Sequence, residues 1–287
     1  MTIPSKPTRP NQVPIAKDSI SAATASASAS ASASSLERML RVLDIFTETN
    51  PIWAVDDMGA ALGYTRSTVY RYVRELADAD LLFQVETGRY ALGARIITWD
   101  RQLRVSDPLV RAVRQLEPDL PQWSDQQVWL FCRLFKDQVV CVHQVGELVD
   151  TVSYARGTPR PLFMGATSKV ILAHLGARQH SQLFLENPEA VRKSNLGQSW
   201  DEFRRSLHNI RRKGFVLTTA EVDVGVFGLA APIFDGDGKV VGSISCVRPI
   251  QERDAALDEQ QGQQIISLAE SLTRTMAALS EPPKKMG

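Results

Sequence analysis

The pattern of hydrophobic and polar residues predicts three successive helices near the start of the chain. The first carries an apolar stripe at helical spacing after Ser35, which can cap its N-terminus. The stripe consists of Leu36, Met39, Leu40, Leu43 and Phe46. Asp56 or Asp57 can cap a second, short helix that ends at Gly63, and Thr65 can cap the third. Because only a short turn joins the last two helices, the pattern predicts a helix-turn-helix.

The third helix has two faces of opposite character. Apolar residues recur on it at i, i+3, i+4 and i+7, which predicts a stripe that packs against a core. This stripe consists of Val69, Tyr72, Val73 and Leu76. The other face and its flanks carry arginines, hydroxyls and a phenol, and we expect it to be a contact surface. Its residues are Arg66, Ser67, Thr68, Tyr70, Arg71 and Arg74.

Two short apolar runs, LLFQV and RYALG, follow the third helix and flank Glu86, Thr87 and Gly88. This arrangement predicts a β-hairpin. Three helices followed by a hairpin predict a winged helix-turn-helix over residues 36–93. In such a domain the third helix enters the DNA major groove and the hairpin forms the wing.

The distribution of charge, rather than its sum, favours DNA as the partner of this domain. Residues 36–93 contain six arginines and nine acidic residues, so the domain is net negative. Residues 66–74 nevertheless contain three arginines and no acid. A basic stretch confined to one helix is typical of a DNA-reading surface. The alternative is a small helical dimerisation module whose arginines and tyrosines are merely solvated.

The rest of the chain predicts a linker helix and an α+β domain. Residues 94–118 predict one or two helices rich in arginine, suited to a linker that also contributes to dimerisation. Within residues 119–287, strand-like runs flank the turn Lys136-Asp137, and a second pair flanks the sequence DGDG. Helical stretches over roughly 166–176, 199–213 and 254–280 separate these hairpins. The mixture predicts an antiparallel sheet flanked by helices.

Composition places the chain among two-domain proteins without a membrane segment. It has 287 residues, of which 44% are hydrophobic and 23% charged, and a formal net charge of +1. It has no apolar run of about 18 residues and no secretory signal, so we expect a cytoplasmic protein. Residues 1–35 are rich in Ala and Ser, which predicts a disordered tail. A basic DNA-contacting arm through Lys6, Arg9 and Lys17 is the alternative.

The sequence shows no pattern of catalytic or metal-binding residues. Cys132, Cys141 and Cys246 are widely spaced, as expected for reduced core thiols, and the histidines lack metal-ligand spacing. The DGDG stretch lacks the remaining ligands of a calcium loop, so it predicts a turn. Nucleophile-elbow and phosphate-loop motifs are absent. We therefore expect no catalytic residue, no metal and no cofactor.

One segment, RGTPRPLFMGATSKVILAHLG, could hold a small anion. Gly165 and Ala166 lie where a loop turns into an apolar helix, and the free N–H groups of a helix start attract anions. Alternatively, the hydroxyls of Thr167 and Ser168 satisfy those same groups. The residues alone do not decide between these possibilities.

Several of these motifs together resemble the IclR family of bacterial transcriptional regulators, over about residues 36–280. SLERMLRVLDIF is similar to the family's first helix, GYTRSTVYRYVRELADADLL to its DNA-reading helix, and GRYALG to its wing ending. The spacing of glycine, proline, alanine and lysine over residues 157–173 resembles the family's effector-domain pattern. The stretch GLAAPIFDGDGKVVGSIS resembles the strands that follow.

The resemblance implies a winged-helix domain, a linker helix and a GAF-like effector-binding domain, assembled as a homodimer or homotetramer. It places an effector pocket beside Gly165 and Ala166, closed by Thr218, Asp223 and Gly228. The side chains of Ser243 and Ser245 share one face of the last strand by the two-residue period, and we expect their hydroxyls to add donors to this pocket.

Three functions follow as hypotheses from these observations. The first is a regulator that binds a double-stranded DNA operator under the control of a small organic acid, with an aromatic carboxylate among the candidates and a catabolic operon as the target. The second is an enzyme built on the α+β domain, with the helical module for assembly. The third is a small-molecule-binding protein without DNA function. Retardation of the chain's own upstream DNA discriminates the first from the others.

Overall fold

The computed structural model describes residues 34–146 and 156–280, which divide into two compact units between Asp100 and Arg101. Each unit has its own hydrophobic core. Apart from its last two residues, the predicted tail lies outside the described residues. Lys6, Arg9 and Lys17, which would form the alternative basic arm, lie outside them as well. None of the helices in the described ranges is long and apolar enough to cross a membrane.

Three helices form the first unit as predicted: α1 (Ser35–Asp44), α2 (Val55–Leu62) and α3 (Arg66–Asp78). Their apolar stripes meet in one core that buries the predicted stripe of α3. Gly63 ends α2 in a left-handed conformation, with φ +67°, which glycine adopts without a steric cost. The predicted helix-turn-helix is therefore confirmed.

The predicted caps of these helices need correction. Ser34, not Ser35, caps α1, because its side chain accepts a hydrogen bond of 3.1 Å from the Glu37 N–H. Neither Asp56 nor Asp57 caps α2; both lie in its first turn, where a negative charge favours the helix dipole. Thr65 occupies the N-cap position of α3 but makes no side-chain capping bond there.

The predicted hairpin is also confirmed, and one strand was missed. Strands β2 (Leu82–Glu86) and β3 (Arg89–Leu92) pair antiparallel, and β1 (Trp53–Ala54) pairs with the outer side of β3. The sheet order is β1-β3-β2. A two-residue strand carries no periodicity of its own, so the hydrophobic pattern could not reveal β1.

The segment predicted as a linker contains two helices, α4 (Ala94–Ser106) and α5 (Pro108–Leu116). The break lies at Asp107 because the following proline disfavours helical backbone in the preceding residue and suits the first helical position. One Asp107 oxygen accepts a hydrogen bond of 2.8 Å from the Leu109 N–H and thereby caps α5. The other accepts a bond of 2.9 Å from Arg133.

Six antiparallel strands form the sheet of the second unit, in the order β6-β5-β4-β9-β8-β7. Both predicted hairpins are present. The strands are β4 (Val128–Phe135), β5 (Gln138–Val145), β6 (Pro159–Pro161), β7 (Val216–Thr219), β8 (Val226–Phe234) and β9 (Val240–Pro249).

Helices cover both faces of this sheet, so alternate residues of the same strand enter different cores. Leu130 joins the core that contains α6, whereas Phe131 joins the core that contains α5 and α10. The helices are α6 (Gly165–Ala173), α7 (Ala177–Glu186), α8 (Pro188–Lys193), α9 (Trp200–Lys213) and α10 (Asp258–Ser280). The sequence pattern did not predict α7 and α8, and α10 begins four residues later than expected.

Candidate functional site

The polar face of α3 lies at the surface, as the sequence predicts. Five of its six residues are exposed, and only Thr68 is half-buried. The exposed residues are Arg66, Ser67, Tyr70, Arg71 and Arg74. On the opposite side, Val69 and Leu76 are both 1% exposed. Burial of one stripe therefore fixes the rotation of the helix and presents the arginines to solvent.

The three arginines of this face have different surroundings. Arg66 lies 3.0 Å from an Asp56 carboxylate oxygen and donates a hydrogen bond of 3.5 Å to Tyr70. Arg74 lies 3.8 Å from Asp78. The Arg71 guanidinium instead lies 5.2 Å above the centre of the Tyr72 ring and has no ion pair with any acid in the described ranges. Arg71 is therefore the one of these three arginines whose planar N–H donors are not engaged by a carboxylate in the described ranges.

A groove of about 700 Å³ lies beside this face. Tyr70, Arg71 and Arg74 line it from α3, and Gln84 and Tyr90 line it from the three-stranded sheet. Donors from the helix and polar groups from the wing therefore face the same concave surface. Glu75 and Asp78 also line the groove, so carboxylates lie beside these donors.

The second unit contains a small cavity at the start of α6. Five of the seven residues predicted for the effector pocket line it: Gly165, Ala166, Thr218, Asp223 and Gly228. The other lining residues are Thr167, Ala220, Glu221, Val222, Val226 and Val247. The helix start, the end of β7 and the loop that follows it thus meet at one place.

Ser243 and Ser245 do not line this cavity in this structure, and their contact with an effector stays a prediction. Both are fully buried beneath α6. Ser243 donates a hydrogen bond of 3.1 Å to the Thr167 carbonyl, and the Ser245 hydroxyl lies 2.9 Å from that of Thr167. The face of β9 was predicted correctly, but the register places Val247, opposite Gly228, at the cavity. In this structure the hydroxyls of the two serines join β9 to α6 through Thr167.

The Gly165 N–H at the start of α6 does not donate to the hydroxyl of Thr167 or of Ser168. Gly165, in a left-handed conformation with φ +77°, donates a hydrogen bond of 3.0 Å to a carboxylate oxygen of Glu221. The Thr167 hydroxyl pairs with Ser245 instead, and the buried Ser168 hydroxyl has no partner among the described residues. The helix start thus does hold an anion, but that anion belongs to the chain itself.

Lys169 completes this arrangement from one helical turn further along. Its ammonium group donates a hydrogen bond of 2.5 Å to the second carboxylate oxygen of Glu221. The lysine side chain is 4% exposed and the glutamate side chain 17%. Both residues were absent from the predicted site. Two signals for Lys169 were available: its four-residue spacing from Gly165, which places a cation near the helix start, and its place in the segment that resembles the family's effector-domain pattern.

With Glu221 in place, the cavity encloses only about 30 Å³. That is room for roughly one water molecule, whereas pockets for organic ligands are about 300 Å³ or larger. This conformation therefore has the chemical groups of an anion site without the space for an aromatic acid.

The cysteines lie away from both surfaces and are free thiols in the interior. Burial raises the pKa of Cys246 to about 12, so its thiol is protonated at neutral pH. Across the described ranges, no group of three or more His, Cys, Asp or Glu side chains is placed to hold a metal ion.

Comparison with known families gives this geometry its context. Residues 109–274 match the model of the bacterial transcriptional regulator IclR C-terminal domain, and residues 35–86 match the IclR helix-turn-helix domain. The chain belongs to the IclR family. It is therefore a DNA-binding transcriptional regulator rather than an enzyme, with an N-terminal helix-turn-helix domain and a C-terminal α+β domain.

Individual IclR relatives are distant but cover most of the chain. The glycerol operon regulatory protein of Streptomyces griseus is 28% identical over 76% of this chain and 85% of its own length. The transcriptional repressor IclR of Escherichia coli is 24% identical over 83% of this chain and 88% of its own. The crystal structure of an IclR homolog from Microbacterium hydrocarbonoxydans superposes with a TM-score of 0.70 at 22% identity, covering 85% of this chain and all of the other.

Proposed function

We propose that this protein binds an operator through the polar face of α3 and that a small organic acid, bound at the start of α6, controls that binding. In this proposal residues 36–93 read DNA, residues 94–118 link the domains, and residues 119–287 sense the effector. The regulated genes form an operon for catabolism of the acid or of a compound that yields it.

The exposed face of α3 carries the DNA-binding half of the proposal. Arg71 has planar donors and no acidic partner in the described ranges, and it borders the groove shared with the wing. A guanidinium group can bind guanine or phosphate in a bidentate manner. Arg66, Ser67, Thr68, Tyr70 and Arg74 surround it with further donors for phosphates and base edges.

Two observations support a carboxylate effector. The helix start of α6 already binds a carboxylate, through the Gly165 N–H and the Lys169 ammonium group. The Microbacterium hydrocarbonoxydans homolog was crystallised with 4-hydroxybenzoate, an aromatic acid. We therefore assign the acid's carboxylate to the start of α6, beside Ala166, Thr218, Asp223 and Gly228.

Assembly as a homodimer or homotetramer completes the proposal. Large apolar side chains of α4 are exposed in the single chain: Ile97 is 73%, Leu103 64% and Val105 51% exposed. A second copy of the chain would remove such side chains from water. A two-fold dimer would present two copies of α3 to the two half-sites of a pseudo-palindromic operator.

A DNA-binding titration tests the proposal. Labelled DNA from upstream of the gene is titrated with the wild-type protein, with and without unlabelled competitor of the same or scrambled sequence. We expect retardation that only the specific competitor abolishes, and a change in affinity when an acid found by thermal-shift screening is added. Ligand binding without retardation of any DNA would instead support a small-molecule-binding protein with no DNA function.

A further inference from the structure

The carboxylate of Glu221 occupies the position that the proposed effector's carboxylate would take. We propose that Glu221 is a built-in ligand of the effector site, which an incoming acid must displace. The inference rests on the proposed function in one respect only, namely that the acid binds at the start of α6. It makes Glu221 the residue that sets which acids the protein senses and how strongly it responds to them.

The two donors of this site define a subsite for one carboxylate. The Gly165 N–H and the Lys169 ammonium group each bind a different oxygen of Glu221, at 3.0 Å and 2.5 Å. The lysine is almost completely buried, and a buried ammonium group without a counterion is strongly disfavoured. Replacement by another anion therefore lowers the cost of displacing Glu221, and the carboxylate of an acid can accept the same two hydrogen bonds.

A second carboxylate cannot join Glu221 in this subsite. The free space is about 30 Å³, which is too small for an organic acid. Two carboxylates that share one ammonium group and one N–H would also repel each other. Space and charge therefore both make the binding of the acid and of Glu221 mutually exclusive.

The backbone allows this exchange without disturbing the sheet. Glu221 belongs to the loop of residues 220–225 between β7 and β8. Ala220 and Gly225, at the two ends of the loop, have left-handed φ angles of +52° and +83°, and such a conformation is strained for alanine. The Ala220 N–H donates a hydrogen bond of 2.9 Å to the Val226 carbonyl at the base. Glu221 therefore lies outside the paired parts of both strands, which end at this base.

Chemical rescue with formate tests the inference, because formate is a carboxylate small enough for the space that the side chain leaves. In the full-length protein we expect Glu221→Ala to lower the thermal midpoint, Tm, by roughly 5–15 °C. Sodium formate should restore at least about half of this loss with a saturable dose dependence, whereas sodium chloride at equal ionic strength should not. The wild-type protein should show no saturable response to formate.

Two variants control for unspecific effects of formate. Lys169→Met combined with Glu221→Ala removes both partners of the ion pair, and formate should no longer stabilise the protein. Glu202→Ala removes a different carboxylate at a helix start, one that accepts bonds from the Gln198 and Ser199 N–H groups at the surface. Formate should not stabilise this variant either, because an exposed site does not shield the anion from water.

If Glu221→Ala does not fold, Glu221→Gln decides the question, since it keeps the size of the side chain and one acceptor for the Gly165 N–H. We expect it to bind benzoate at least about tenfold more tightly than the wild type, because the ammonium group of Lys169 has lost its counterion. Equal benzoate affinity, absence of formate rescue in a folded Glu221→Ala protein, or equal rescue of the double variant would each overturn the inference.

Operator binding by the wild-type protein is measured in parallel, so that the two proposals fail separately. Formate rescue without DNA binding would support the role of Glu221 as an internal ligand and refute the proposed function. DNA binding without formate rescue would support the proposed function and refute the role of Glu221 as an internal ligand.

Discussion

Asp107 and Arg133 form an ion pair of 2.9 Å that fastens the break between α4 and α5 to strand β4. Asp107 also caps α5, so one carboxylate serves both the helix and the sheet. Both side chains are largely shielded from solvent, at 13% and 26% exposure. The position of α5 on the sheet therefore depends on a residue that the sequence pattern alone treats as part of a linker.

Replacement of Asp107 separates these two contributions. We expect Asp107→Ala to lower the free energy of unfolding by about 1–3 kcal/mol, because it removes a cap and a partly buried ion pair. Asp107→Asn should cost less, since its amide oxygen still accepts the Leu109 N–H. Urea denaturation of the full-length protein measures both. Equal destabilisation by the two substitutions would show that the cap contributes little.

Arg71 is the arginine whose loss should weaken operator binding most. We expect Arg71→Ala to cost about 1–3 kcal/mol in binding free energy, the typical value of a bidentate base contact. Arg66→Ala and Arg74→Ala should cost less, because Asp56 and Asp78 already engage those side chains. Fluorescence anisotropy with operator DNA measures the affinities at one fixed salt concentration.

Arg212→Ala is the matched control for this series, because Arg212 is an exposed arginine on α9 of the second unit. Its affinity for the operator should equal that of the wild type. Unchanged affinity in Arg71→Ala would remove Arg71 from the DNA contact. A collapse of its thermal midpoint would instead assign it a role in the fold.

Gly228→Ala should block the cavity at the start of α6, the proposed effector site, with little effect on the fold. A methyl group there would lie 3.7 Å from the Ala166 side chain and 3.8 Å from that of Val247, which are ordinary contacts. We expect the free energy of unfolding to change by less than about 0.5 kcal/mol. Affinity for an acid that stabilises the wild type should fall at least about tenfold, as isothermal calorimetry can measure.

Gly165→Leu gives a second obstruction of the same cavity, with a different side effect. The left-handed backbone of Gly165 disfavours any larger residue, so this variant should lose stability as well as acid binding. Undiminished acid binding in both variants would place the effector elsewhere.

The histidines beside α9 should make the second unit sensitive to mild acid. Burial lowers the pKa of His180 below its ordinary value, although a hydrogen bond with the Leu172 carbonyl raises it in part, and nearby Arg211 lowers it further. Burial lowers the pKa of His174 as well. The unfolded chain therefore takes up protons first as the pH falls. Stability is complete above about pH 6.5 and declines as the pH drops through the lower pKa values of the folded state.

We therefore expect the thermal midpoint to be lower at pH 5.5 than at pH 7.5, and His180→Gln to reduce that difference. Glutamine does not titrate and can still donate a hydrogen bond to the Leu172 carbonyl. His208→Gln, which changes an exposed histidine on α9, should leave the difference as it is. If His180→Gln leaves the pH dependence intact as well, other groups must cause it.

The sequence predicted those parts of the fold that repeat a local pattern. The stripe of α3, the turn at Gly63 and three hairpins follow from periodicity and turn chemistry, which are properties of neighbouring residues. The cap at Ser34 instead of Ser35 is an error of one position, within the usual uncertainty of helix ends. Strand β1 was missed because only pairing with β3 makes it a strand.

The cavity at the start of α6 was harder to predict, because it depends on register and on long-range contacts. Gly165 and Ala166 were predicted from the helix start, whereas Thr218, Asp223 and Gly228 were identified only through resemblance to the family. The period of β9 gave the correct face, yet only the pairing of Val247 with Gly228 shows which residue reaches the cavity. Glu221 lies 52 positions from Lys169, and no local pattern links a loop carboxylate to a helix that precedes it by that distance.

The attachment of Glu221 to the same chain as its binding site also fixes the concentration scale of the response. A competitor held on a short loop acts like a free ligand at an effective concentration on the order of millimolar or higher. An acid that offers only a carboxylate must exceed this concentration before it occupies the subsite. An acid with a ring or chain that makes further contacts reaches the same occupancy at far lower concentrations. Under this proposal, the internal carboxylate favours acids that make further contacts over small acids that offer only a carboxylate.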